Sequence, residues 1–188
     1  MIESNAGGRP RHAALTNDTR QDGVYLAEFL LPQSYVVHDL RRRTSLFDTQ
    51  RIDHPTEDSQ EEDSRFFLWH QGDTTDTSSL INVTQKMRPD EIYNPAAQSH
   101  VALSFEEPEF TANFDAVGTL RVLQAVRSVG MSKEVRFYQA STSELYGLIR
   151  KTPKYEMTPF CFRSLYAVTK LYAHRITMNY REAYEMSA

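Results

Sequence analysis

The run AALTNDTRQDGVYLAEFLLPQSYVV, from Ala13 to Val37, decides the fold. Ala13-Ala14-Leu15 is a short apolar run, and between Gly23 and Leu31 the residues Val24, Ala27, Leu30 and Leu31 recur at helical spacing. Tyr35-Val36-Val37 is again an apolar, strand-forming run. Strand, helix and strand in so short a stretch predict a β-α-β unit. The alternation continues with a strand at Phe66–Trp69, a helix from Asp76 to Met87, a strand at Ile92–Tyr93, a helix from Val117 to Val129 and a strand from Val135 to Tyr138. Such a series predicts an α/β, doubly wound parallel sheet with ligands at the carboxyl ends of its strands. Asp73, residues 94–99 and Ser141 to Glu144 fall at those ends. The polar residues 1–10 read as a loose leader and residues 11–188 as one domain. Glu57 to Asp63, EDSQEED, reads as a solvated acidic loop.

Two motifs near the last of these strands carry chemistry. QASTSELYG, from Gln139 to Gly147, sets a Thr, a Ser and a Glu at the end of an apolar run, and Tyr166-Ala167-Val168-Thr169-Lys170 follows a Pro-broken stretch. On a helix, Tyr166 and Lys170 share one face. A tyrosine with an ordinary pKa near 10 acts as a base at neutral pH only when a neighbouring cation favours its phenolate. Lysine four positions away supplies that cation. Each motif also has a plain structural reading: Tyr-x-x-x-Lys as an exposed helix pair, and Ser141 to Glu144 as a helix start.

Composition narrows the classes. The chain has 188 residues, 40% apolar content, 24% charged content and a net charge of -4. That suffices for one substantial core and lacks the basic face that tracks a nucleic-acid backbone. No run approaches a membrane span, and the leader has no apolar signal segment, so the expectation is a cytoplasmic protein with no membrane partner. Cys161 is the only cysteine, which excludes an internal disulfide. The six histidines are scattered without ligand spacing, so packing is the better account and no metal is expected.

GVYLAEFLL (residues 23–31), EIYNPAAQSHVALSF (91–105), VGTLRVLQAV (117–126), VRFYQASTSELYG (135–147) and REAY (181–184) together resemble the GDP-mannose 4,6-dehydratase family of extended short-chain dehydrogenase/reductases. The resemblance implies a Rossmann-type, NADP-binding domain over residues 11–188. It implies GDP-mannose as substrate, converted to GDP-4-keto-6-deoxymannose through transient hydride transfer to NADP, on the route to GDP-fucose. Tyr166 is then the base, Lys170 holds the nicotinamide ribose, Thr142 bonds the C4 oxygen with Ser143 assisting, and Glu144 takes the C5 proton. The cofactor is implied to meet Gly23, Arg42, Arg43, Asp73, Ala97, Gln98, Ser99, Tyr166 and Lys170. Arg42 and Arg43 point to NADP, because an Arg after the second strand accommodates a 2′-phosphate. In the family this segment also joins subunits, which implies a homo-oligomer.

The chain departs from the pattern at the cofactor. Asn17 and Arg20 stand where two glycines of the phosphate-binding turn belong, with only Gly23 kept, and Pro95 and Ala96 replace Leu and Gly. Segment Cys161–Ala167 lacks the family's Pro before the tyrosine and Gly after it. The family chain also continues past REAY into further strands and a substrate domain, which this sequence lacks. Two other readings follow: a non-catalytic fragment that binds a full-length subunit, and a relative acting on another nucleotide sugar. A guanidinium at the close-approach position obstructs a pyrophosphate unless it pairs with it. The expected outcome is that Asn17→Gly with Arg20→Gly tightens NADP binding; equal dissociation constants would reject the obstruction.

Overall fold

The computed structural model describes residues 9–16, 21–41, 67–148 and 152–188. Most of the leader, Asn17, Arg20, Arg42, Arg43, the acidic run and Phe66 lie outside the described residues. Five strands form one sheet: β1 (Arg11–Thr16), β2 (Tyr35–Arg41), β3 (Phe67–Gln71), β4 (Glu91–Asn94) and β5 (Arg136–Gln139). Their order is β3-β2-β1-β4-β5 and every pairing is parallel. The chain runs outward from β1 to β3, then returns to β1's other edge with β4. That reversal is the topological switch point of a doubly wound fold.

Successive strand residues point to opposite faces, so β1 feeds two cores. Ala13 and Leu15 pack with Val37 and with Ala27 and Leu30 of helix α1 (Gln21–Leu30) on one face. Ala14 joins Ile92 and Phe137 on the other, where helices α2 (Thr77–Met87), α5 (Gly118–Ser128) and α6 (Leu165–Tyr184) contribute Leu80, Val83, Leu123, Val126 and Tyr180. Short helices α3 (Val101–Glu106) and α4 (Pro108–Thr111) precede α5. Between them and α5, residues Ala112–Val117 wind one residue wider per turn than an α-helix. Ser187 pairs in parallel with Arg136, and its carbonyl accepts the Phe137 N–H at 2.7 Å.

Local chemistry sets the element ends. Asp76 caps α2 by accepting the Ser78 N–H, and Arg88 closes it in the left-handed region with its N–H on Thr84 O. Ser164 caps α6 by accepting the Ala167 N–H at 3.1 Å. β2 continues past the apolar run Tyr35–Val37 to Arg41, with His38 and Asp39, 4% and 0% exposed, as buried strand residues. The helix expected from Val117 is instead entered through the wider turn.

Leu123 is fully buried between α2, α5 and the sheet. Leu123→Ala is expected to cost about 2–5 kcal/mol in urea unfolding. Phe105→Ala, at a side chain 64% exposed, should stay within about 0.5 kcal/mol. Equal losses would reject this placement of the core.

Candidate active site

The carboxyl ends of β1, β4 and β5 are fastened by polar side chains. Asn94, 2% exposed, accepts a hydrogen bond from the Thr16 hydroxyl and donates to Gln139 Oε1 at 2.7 Å. The Ala140 N–H donates to Asn94 O at 3.2 Å, which ties the chain leaving β5 to the end of β4. Buried polar groups of this kind hold position only while all are paired. Residues that follow these strand ends, Pro95 and Ala140 among them, border a cleft at the switch point.

That cleft, about 160 Å³, is lined by Asp22, Gly23, Pro95, Ala97, Ser99, Ala140, Ser141, Tyr166 and Lys170. Its volume is well below the roughly 300–1,000 Å³ of a whole-ligand pocket, so it holds a ring rather than a dinucleotide. Tyr166 and Lys170 lie one turn apart on α6, 7% and 2% exposed. Lys170 Nζ donates to Ala140 O at 3.0 Å. A buried ammonium is costly unless it is hydrogen-bonded, and this carbonyl fixes it at the cleft wall. The pair is therefore not the exposed helix pair that the plain reading allowed.

Thr142, Ser143 and Glu144 do not line the cleft. Thr142 caps a short 3-10 turn, Ser143–Tyr146, by accepting the Glu144 N–H at 3.2 Å, which leaves its hydroxyl proton free to donate. Ser143 is exposed, while Glu144 is half-buried; Ser141 is the hydroxyl that reaches the cleft. The turn is docked on the segment before α6: Cys161 N–H donates to Leu145 O at 2.8 Å and Leu148 N–H to Cys161 O at 3.2 Å. Gly147, with φ of 32°, sits so close that a Cβ there would lie 2.3 Å from Cys161 O. The Glu144 turn is thus fastened to the segment that leads into the Tyr166 helix.

The remaining cofactor candidates divide. Gly23, Ala97 and Ser99 line the cleft, whereas Asp73, two residues past β3, is not among its lining residues and accepts the Thr75 N–H at 2.8 Å within a turn. Gln98 is buried, and its Oε1 has no hydrogen-bond partner among the described residues. Its neighbours Ala97 and Ser99 line the cleft, which also reaches Asp22 and Gly23 in the first turn of α1. This lining, with Tyr166 and Lys170 at its wall, is chemically compatible with the ring end of a nicotinamide cofactor.

Sequence reasoning missed Asp115. It lies in the wider turn at 2% exposure, its Oδ1 accepts the Gln98 N–H at 2.6 Å, and Thr169 Oγ1 lies 3.4 Å from its Oδ2. It therefore joins the cleft loop to the helix that carries Tyr166 and Lys170. An acidic residue in an otherwise apolar helical segment was the available signal. Asp115→Ala is expected to lower stability by about 1–3 kcal/mol in urea unfolding through the unpaired Gln98 N–H. Asp115→Asn, which keeps an acceptor, should recover most of that loss; equal losses would contradict the role.

Comparison with known proteins adds identity to this geometry. Residues 19–188 match the family model for GDP-mannose 4,6 dehydratase. The chain is 57% identical over 176 residues to the GDP-mannose 4,6-dehydratase of Vibrio cholerae serotype O1, covering 94% of this chain and 47% of that protein. It is 50% identical over 182 residues to the GDP-mannose 4,6 dehydratase of Homo sapiens, covering 96% and 49%. The UDP-glucose 4-epimerase of Brucella ovis in complex with NAD shares the fold, with a TM-score of 0.77 at 22% identity over 94% of this chain and 49% of that one. Epimerase Mth375 of Methanothermobacter thermautotrophicus gives 0.77 at 27% identity, with 94% and 49% covered. The chain spans about half the length of the curated relatives it matches. With residues 19–188 matched by the family model and 50–57% identity to these dehydratases over nearly all of its length, this chain belongs to the GDP-mannose 4,6-dehydratase family.

Proposed function

We propose that this chain supplies the nicotinamide-binding and catalytic half of a GDP-mannose 4,6-dehydratase, a lyase that forms GDP-4-keto-6-deoxymannose. The observation that carries the reading is the buried Tyr166 and Lys170 at the wall of the switch-point cleft, with Lys170 Nζ held 3.0 Å from Ala140 O. NADP, when bound, would accept the hydride from C4 and give it back at C6 once water has left, so the reaction would consume no net oxidant.

Tyr166 Oη takes the proton of the sugar's C4 hydroxyl, and the fixed ammonium of Lys170 favours the phenolate that does so. Thr142 donates its remaining hydroxyl proton to the C4 oxygen. The C4 ketone acidifies C5, whose proton Glu144 takes as water leaves from C6. A plain dehydrogenase or epimerase has no need of that carboxylate. The Cys161–Leu145 backbone bond keeps the two groups in register, which supports a division of labour between α6 and the 3-10 turn. Arg42 and Arg43 support NADP over NAD by their position after β2, and the same segment supports assembly into a homo-oligomer.

The test is incubation of the chain with GDP-mannose and NADP, followed by mass detection of a sugar nucleotide that has lost one water. Product is expected from the parent chain, and Tyr166→Phe should reduce its formation by about 100-fold or more. Turnover unchanged in the variant would sink the assignment of the base. No product from the parent would count against catalysis by this chain and favour the non-catalytic fragment.

A further inference from the structure

Three histidines far apart in sequence meet on one face of the sheet. His12 of β1, His38 of β2 and His70 of β3 form a diagonal row, with His12 Nδ1 2.8 Å from His38 Nε2 and His38 Nδ1 2.9 Å from His70 Nε2. Both pairs of ring centroids are 5.1 Å apart. Each inner nitrogen is committed to a neighbouring ring, so the row is not a metal chelate. Among the described residues no group of His, Cys, Asp and Glu could hold a metal ion.

We propose that His12, His38 and His70 form a proton-operated latch across β1, β2 and β3, which accepts one extra proton intact and opens on the second. The argument is a count of sites. Three imidazoles have six ring nitrogens, four of them facing one another in two N···N contacts. Each contact needs one proton as donor and one bare nitrogen as acceptor. Three neutral rings carry three protons, which fill both contacts and one outer nitrogen. A fourth proton fills the other outer nitrogen with both contacts kept. A fifth forces two N–H groups to face each other across one of the contacts and makes two of the three rings cationic, so a link between strands is lost.

The surroundings agree with this count. His38 is 4% exposed and has its pKa lowered to about 4, by burial first and then by its two neighbours. Burial also lowers His12 and His70. Asp90 favours charge on His12 and its Oδ2 accepts that residue's N–H at 2.8 Å, while Arg9 opposes; Lys86 of α2 opposes charge on His70. The first proton is therefore directed to the His12 end. An unfolded histidine takes its proton near 6.5. Between that pH and about 4 the unfolded chain binds more protons than the folded one, so stability falls as pH falls. The latch makes the β1–β2–β3 half of the sheet acid-labile.

The experiment is urea unfolding of the whole chain at closely spaced pH values from 7.5 to 4.5, with His12→Val alongside. With three histidines the unfolded chain should take up about two more latch protons than the folded chain, and with two about one. The folding constant of His12→Val should accordingly depend on pH about 10-fold less per pH unit. His70→Gln tests the same link from the other end, should the first variant not fold. Couplings between the paired ring nitrogens in ¹⁵N-histidine spectra of the unmodified protein should be present across both contacts at pH 7.5. Equal pH dependence in parent and variant, or absence of those couplings, would overturn the latch.

Discussion

β1 is paired along both edges and covered on both faces: Ala13 and Leu15 are fully buried on one side and Ala14 is 4% exposed on the other. A strand so placed forces the chain to build outward twice, once to β2 and β3 and once to β4 and β5. The two builds send their first connections to opposite faces, and the strand ends part at the point where they diverge. Small residues at Ala13 and Ala14 let α1 on one face and α5 on the other approach closely. The cleft is thus a consequence of sheet topology before any catalytic residue is considered.

Polar groups then hold the rim of that cleft in place. Asn94 joins β1, β4 and β5, Asp115 joins the loop after β4 to α6, and Cys161 joins the 3-10 turn to the approach of α6. Buried carboxylate, amide and ammonium groups are each unfavourable alone. Paired as they are, they leave few alternative positions for Tyr166 and Lys170. Catalysis by proton transfer depends on such fixed geometry more than on the identity of the base.

Much of this was legible in the sequence. The order of strands and helices followed from apolar periodicity at Ala13–Leu15, Val24–Leu31 and Val135–Tyr138, because each element has one dominant buried pattern. Tyr166 and Lys170 were legible because a four-residue spacing places both on one helix face. Asp115 was not, since a lone polar residue becomes meaningful only when its distant partner is known; Asn94 was placed at a strand end from sequence, but its links to Thr16 and Gln139 were not. The row of His12, His38 and His70 was hidden for the same reason: parallel pairing across two crossovers brings together residues that share no local spacing. Thr142 to Glu144 fell between these cases, since their place on a turn was open from sequence and the docking on Cys161 was not.

The central claim is that the switch-point cleft beside Tyr166 and Lys170 is a nicotinamide site. The most direct test is the thermal melt of the purified chain with and without NADP, with NAD as comparison. A ligand that binds only the folded state at about 100 times its dissociation constant adds roughly 2.7 kcal/mol. The account predicts one cooperative transition that moves to higher temperature with NADP, and by less with NAD. A cooperative transition that neither cofactor moves would contradict it.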